Sequence, residues 1–181
     1  MGSFKNTVLI LILLVTYGQG YTIRSITAYQ NCDVKWGREQ LNNNSSKSIC
    51  QYGSLLSCVA MILQTSSKPI NSRPVNPAVL NKYLMNNNGF KQGDEVNFSA
   101  LEQVGLHFVK TVSDLKTAQE YFNSNHYIVL NINYGKNYGV LIGFDDSDKS
   151  NVIYYINNPI IPSETKVAAK DISVAIIFKA L

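Results

Sequence analysis

Apolar residues in the middle of the chain recur at the spacing of a buried helix. Between Ser54 and Thr65 they lie three and four positions apart, which places them on one helix face. These apolar residues are Leu55, Cys58, Val59, Ile62 and Leu63. The pattern predicts the central helix of the domain over Ser54–Thr65.

Three further segments favour helices. Asn76 followed by Pro77 is a typical cap and first turn, and Gly89 ends an apolar stripe of helical spacing. Shorter helices are predicted over residues 99–104 and 113–123. The predicted helices therefore precede the segment in which the apolar pattern changes.

The last third of the chain has the composition of β-strands. Four segments are rich in Val, Ile, Tyr and Phe and are separated by polar turn residues. They are residues 126–133, 138–144, 151–156 and 172–178. A run of strands after a run of helices predicts an α+β domain, with the helices packed on one side of an antiparallel sheet.

The first twenty residues have the pattern of a cleavable signal peptide. Lys5 is the only charge before a short apolar run, and Gly18 and Gly20 provide small residues for a cleavage site. The run is much shorter than the ~20 residues that span a bilayer as a helix. We expect residues 1–20 to be removed. Residues 21–181 should then form one soluble domain that is secreted, or that lies in the lumen of the secretory or endolysosomal pathway.

Charge and composition argue against several classes of partner. The formal net charge is +4, and the basic residues are scattered singly rather than clustered with aromatic residues. We therefore expect no nucleic-acid binding and no stable membrane insertion after signal removal. Asp145, Asp146 and Asp148 lack the glycine and terminal glutamate of a calcium-binding loop, so they are read as a solvated turn, and no metal or cofactor is predicted.

Cysteines and glycosylation sequons are compatible with export. The cysteines are Cys32, Cys50 and Cys58. Because their number is odd, at most one disulfide can form within the chain. Asn-x-Ser/Thr acceptor sequons begin at Asn43, Asn44 and Asn97. In an exported eukaryotic chain, at least one of them is expected to carry a glycan.

Four short stretches in chain order share the motifs of one enzyme family. They read QNCDVKWG over residues 30–37, YGSLLSCVAM over 52–61, NYGVLIGF over 137–144 and YINNP over 155–159. Together they resemble the C39-like branch of the papain-like cysteine peptidases, and residues 81–90 fit the second helix of that family. The resemblance implies a papain-like fold, with N-terminal helices packed on a C-terminal antiparallel sheet.

The resemblance also places the catalytic positions of the family on this chain. Gln30 matches the glutamine of the oxyanion hole, which stabilises the charge that forms on the substrate. Ser54 stands where the nucleophilic cysteine belongs, Asn137 in place of the histidine, and Asn158 in place of the aspartate. A serine needs a positioned general base, and an asparagine amide cannot accept a proton at physiological pH. The family triad is therefore inactive as aligned.

A disulfide follows from the implied fold. In a papain-like arrangement Gln30 lies across a cleft from the start of the central helix, so Cys32 and Cys50 would flank the same site. The resemblance thus predicts a Cys32–Cys50 bridge, with Cys58 left as a buried thiol in the core. The alternative is that all three cysteines are reduced and buried.

Three functions remain open on the sequence. We favour a secreted, catalytically inactive peptidase-like protein that binds a peptide or protein partner. The second is an active secreted peptidase of the cysteine or serine type, or a hydrolase of peptidoglycan-type amides. It would be a serine variant or would use a relocated histidine, with His107 or His126 near Ser54, although each histidine fits a strand end better. The third is a structural protein of the secretory pathway. Trp36 is expected to pack the N-terminal segment rather than a ligand.

Overall fold

The computed structural model describes residues 23–42, 46–92, 95–133 and 137–181. Its helices and strands, in chain order, are α1 (Ile49–Tyr52), α2 (Ser54–Thr65), α3 (Pro77–Asn86), a 3₁₀ helix (Phe98–Val104), β1 (Leu106–Val112), α4 (Leu115–Asn123), β2 (Tyr127–Ile132), β3 (Asn137–Asp145), β4 (Ile153–Asn157), β5 (Lys166–Ala168), a second 3₁₀ helix (Ala169–Asp171) and β6 (Ile172–Ala180). The predicted signal peptide and the sequons at Asn43 and Asn44 lie outside the described residues.

The strands form a six-stranded sheet in the order β1-β6-β2-β3-β4-β5. Every neighbouring pair is antiparallel. The prediction of an α+β domain with an antiparallel sheet is confirmed.

Both faces of the sheet are covered, because its central strands are apolar on both sides. In β2, Val129 packs with the residues of α1, α2 and α3, whereas Ile128 and Leu130 pack with α4. β6 alternates in the same way, with Ile176 on the first face and Ile177 on the second. The expectation of helices on one side holds for α1, α2 and α3 but not for α4. A single helical layer would leave the second apolar face in water.

α3 begins at the cap that the sequence predicts, whereas α1 and α2 start in other ways. The Asn76 side chain accepts a hydrogen bond from the Val79 N–H at 3.0 Å, and Pro77 begins α3. Ser48 and Gln51 form a capping box around α1, a single turn that the apolar pattern did not predict. α2 has the predicted bounds, but Gly53 precedes it without a side-chain cap.

Within the described residues, no helix is both long enough and apolar enough to cross a membrane.

Candidate functional site

Ser54 is the first residue of α2 and is largely buried, with 5% of its surface exposed. The preceding Gly53 joins the two helices: its N–H donates to Ile49 O at 2.8 Å, and its carbonyl accepts from the Ser57 N–H at 2.8 Å. Ser54 therefore lies at a helix start, where backbone N–H groups have no partner within the helix. A group at this position is exposed to the positive end of the helix dipole.

The loop that contains Gln30 is fixed to α1. A disulfide joins Cys32 to Cys50, with 4.3 Å between the Cα atoms, and the Cys50 N–H donates to Gly37 O at 3.0 Å. The Trp36 indole N–H donates to Gln30 O at 2.8 Å. The Gln30 side chain is exposed at the surface. The loop is thus held beside the segment that leads into Ser54.

The predictions for the cysteines and for Trp36 are confirmed. The bridge is Cys32–Cys50, and Cys58 is a fully buried free thiol in α2. Burial raises the pKa of the Cys58 thiol far above its ordinary value, because the thiolate would lose its hydration. Trp36 is buried and packs edge-on against Tyr29, so its ring belongs to the N-terminal packing.

Asn158 holds a tight turn after β4. Its side-chain oxygen accepts from the N–H groups of Ile160 at 2.9 Å and Ile161 at 3.1 Å, and its amide nitrogen donates to Glu164 Oε2 at 2.5 Å. This turn adjoins the loop 30–37, because the Asn31 N–H donates at 2.8 Å to the carbonyl of Pro159, the residue after Asn158. The side chain of Asn158, which the resemblance aligns with the catalytic aspartate, therefore makes its hydrogen bonds within its own turn.

Asn137 lies at the same end of the sheet as Asn158. Asn137 begins β3, and antiparallel pairing sets Val140 of β3 opposite Asn157 at the end of β4. The Asn137 side chain is half-buried. The disulfide and the Asn31 contact attach the start of α2 to this same end. All four family positions therefore lie at one end of the domain, on four separate segments.

The two histidines of the chain lie at the opposite end. His107 pairs with Lys179 near the end of β6, and His126 directly precedes Tyr127, which pairs with Phe178. The C-terminal end of α2 faces this region, because Lys68, just beyond the helix, donates to the carbonyl of the last residue of the chain. Since the twelve residues of α2 span about 18 Å, Ser54 is far from either imidazole.

Each histidine has a local partner instead. His107 Nδ1 lies 2.5 Å from Glu102 Oε1, and His126 Nδ1 lies 3.1 Å from Ser124 O. The ring of His126 also packs edge-on against Tyr121. These contacts agree with the reading of both histidines as strand-end residues.

The acidic turn after β3 is stabilised from within. Asp145 accepts from the Ser147 N–H at 3.0 Å, and Asp148 accepts from the Ser150 N–H at 2.9 Å. Hydrogen bonds from these serines lower the pKa of both carboxyls. Within the ranges that the structure describes, no three metal-ligating side chains are grouped.

Asn97 is the one sequon in the described residues. Its amide nitrogen, which a glycan would occupy, donates to Asn88 O at 3.1 Å, and its oxygen accepts from the Ser99 hydroxyl at 2.9 Å. Asn97 is half-buried in the folded domain. A glycan there would leave this nitrogen with one N–H to donate.

Sequence reasoning missed two features beside the family positions. Asn31 is fully buried, and neither polar atom of its side chain has a hydrogen-bond partner. Four large apolar side chains are exposed on the segments that carry the site. They are Val34, Tyr52, Ile160 and Ile161. Ile160 and Ile161 directly follow the Asn-Asn-Pro motif, and two isoleucines in a turn were the available signal.

A scan of protein-family models, a search of curated proteins and a search of solved structures each found no match to this chain.

Proposed function

We propose that this protein is a secreted, catalytically inactive member of the C39-like, papain-like peptidases that binds a peptide or protein partner in the former catalytic cleft. The four motifs carry the family assignment. The common location of Gln30, Ser54, Asn137 and Asn158 at one end of the sheet supports it, because a catalytic cleft requires those positions to converge.

The proposed loss of catalysis rests on proton transfer. The Ser54 hydroxyl can attack a carbonyl only if a base removes its proton, and the amide of Asn137 cannot do so. His107 and His126 are at the other end of α2 and have partners of their own. A serine hydrolase built on these residues would lack its base.

The observation that carries the binding role is the exposed apolar surface. The described residues include six exposed large apolar side chains, and four of them lie on the segments that carry Gln30, Ser54 and Asn158. Val34 is 94% exposed in the loop that the disulfide fixes, and Tyr52 is 57% exposed at the end of α1. Apolar side chains gathered on joined segments are typical of a surface that a partner covers. We call Val34, Tyr52, Ile160 and Ile161 the apolar rim.

The binding role can be tested with a displayed library of random peptides. The mature protein should enrich peptides with apolar side chains, since a complex removes the apolar surface of the rim from water. Tyr52→Ser and Ile161→Ser should each weaken the enriched peptides by about tenfold in fluorescence polarisation.

Leu181→Ser is the matched control for Tyr52→Ser. Leu181 is 58% exposed, nearly the same as Tyr52, but it lies at the histidine end of the domain. Its replacement should leave peptide affinity unchanged. Enrichment of no peptide, or equal losses in the Leu181→Ser and rim variants, would contradict binding at the rim.

Catalysis is tested by repair. The mature protein should cleave no fluorogenic peptide and react with no thiol-directed active-site inhibitor. Ser54→Cys combined with Asn137→His should give modest peptidase activity. Asn158→Asp alone would place two carboxylates side by side, because Asn158 contacts Glu164, and their repulsion would disturb the turn. The more complete repair therefore adds Asn158→Asp together with Glu164→Gln.

Two results would count against this account. Cleavage by the unmodified protein that disappears in Ser54→Ala would show an active hydrolase. A folded but inert repaired protein, including the form with Asn158→Asp and Glu164→Gln, would leave the assignment of the family positions unsupported.

We also propose that the chain is exported. The disulfide supports an oxidising compartment, since cytosolic thiols are kept reduced. Mass spectrometry of the secreted product should find an N-terminus at or near Tyr21, with hexose-containing mass on Asn43, Asn44 or Asn97. An intact Met1 in a cytosolic fraction would contradict export.

A further inference from the structure

A cavity opens between α3 and the turn that precedes it. Its volume is about 280 Å³, and none of its lining residues belongs to the apolar rim or to the family positions. Small-molecule pockets begin at roughly 300 Å³, so this cavity suits a ligand of about one sugar ring.

One lip of the cavity is a tight turn from Ile70 to Arg73. Both backbone hydrogen bonds between these two residues are formed, at 3.1 and 3.0 Å. The central residues, Asn71 and Ser72, have φ of 49° and 61°. A serine in this conformation is strained by about 1–2 kcal/mol, yet the closed turn holds it. The turn therefore fixes the backbone from which the Asn71 and Arg73 side chains extend.

The facing wall is one side of α3. Val79, Lys82, Tyr83 and Asn86 are spaced three, four and seven residues apart, which aligns them along the helix. The Tyr83 hydroxyl donates to Ala100 O at 3.1 Å, so the phenol ring is held in place as part of the wall.

The cavity carries two positive charges and no negative one. Arg73 and Lys82 both line it, and its lining residues include no Asp or Glu. Within the described part of the chain, neither cation forms a salt bridge. Two like charges facing one concave space raise the local concentration of anions.

We propose that this cavity binds an anionic sugar that carries a sulfate or phosphate ester. The guanidinium of Arg73 and the ammonium of Lys82 receive the ester. The amides of Asn71 and Asn86 can donate to and accept from sugar hydroxyls. The Tyr83 ring offers a flat apolar wall for a face of the sugar ring.

Calorimetric titration of the full mature protein tests this assignment. The probes are a sulfated heparin disaccharide, its desulfated form, glucose 6-phosphate, glucose, and inorganic sulfate and phosphate. At least one of the sugar esters should bind about tenfold more tightly than its neutral sugar and its free anion, and rising salt should weaken it. Arg73→Gln and Lys82→Gln should each weaken binding about tenfold, as expected for lost charged hydrogen bonds.

Control variants separate this site from others. Lys149→Gln removes a surface cation on the acidic turn, and Tyr52→Ser alters the apolar rim; both should bind the sugar ester normally. Failure of both esters to bind, equal affinity for the neutral sugars, inorganic anions that match the esters, or no effect of Arg73→Gln and Lys82→Gln would each overturn the proposal. None of these results depends on the peptide-binding role.

Discussion

Replacing Cys32 and Cys50 together by serine should lower the free energy of unfolding by about 3 kcal/mol, because the bridge closes a loop across a sequence separation of 18 residues. Most of this effect lies in the unfolded chain, which gains conformational freedom without the bridge. Urea titration of the mature protein under oxidising conditions measures it. In the folded double variant, hydrogen bonds such as the one from the Cys50 N–H to Gly37 O still join the loop 30–37 to α1.

The same variant should also weaken binding at the apolar rim. Val34 and Tyr52 stand on the two segments that the disulfide joins, so their relative position depends on it. We expect rim peptides to bind several-fold more weakly to the double variant even at temperatures where it is fully folded. Loosening the segments adds to the entropy that binding must remove.

Reduction provides the matched control for the disulfide. Dithiothreitol should destabilise the unmodified protein by the same amount and leave the Cys32→Ser, Cys50→Ser variant unchanged. The buried Cys58 should react with alkylating agents only after unfolding, because its thiol has no access to solvent. Equal urea midpoints for oxidised protein and double variant would show that the bridge does not constrain the unfolded chain as proposed.

Elements with strong local signals could be predicted from the sequence. α2 has the predicted bounds because its apolar residues repeat over three turns, and α3 begins at its predicted cap because Asn76 bonds the first-turn N–H of Val79. Each of the four predicted strands is also present. In these segments the local pattern was enough to identify the element but not its burial. Residues 56–63 of α2 are buried on every side of the helix, whereas Leu55 of the predicted apolar face is half-buried.

Short elements and layer assignment could not be read in the same way. β5 has three residues and α1 has four, which is too few for a period to appear. β1 is an edge strand that is half-buried along most of its length, so it lacks a clear alternation. The side of the sheet on which α4 lies depends on which strands are central. The strand order is set by pairing between segments far apart in the sequence, so it could not be predicted from local patterns.

In the candidate site, too, residues within motifs could be predicted, whereas contacts that depend on the path of the chain could not. The motifs predict Gln30, Ser54, Asn137 and Asn158 as the site residues, and the resemblance predicts the Cys32–Cys50 disulfide that the structure contains. The contact between Asn158 and Glu164 was not foreseen, because it depends on the path of a turn. The apolar rim was missed because the exposure of Val34 and Tyr52 depends on where their segments lie in the fold. Only the pair Ile160 and Ile161, directly after the Asn-Asn-Pro motif, gave a signal in the sequence.

Gly53→Ala should be the most damaging small substitution at the site, with a loss of about 3 kcal/mol in the free energy of unfolding. A Cβ at Gly53 would lie 2.5 Å from Ile49 O and 2.7 Å from Ile49 Cγ2. The backbone angles of Gly53, φ −84° and ψ 17°, suit alanine, so the cost is steric. α1 is attached to the loop 30–37 by the disulfide and cannot easily move away.

Relief of that overlap must therefore displace Ser54 at the start of α2, and with it the neighbouring rim residue Tyr52. Gly105→Ala is the control: there φ is +80° but the nearest atom to a new Cβ is the flexible Lys68 side chain at 3.1 Å, so about 1 kcal/mol is expected. Thermal and urea unfolding compare the two variants. If Gly53→Ala proved as stable as the parent, the close packing of α1 against the start of α2 would be wrong, and the position assigned to Ser54 would be wrong with it.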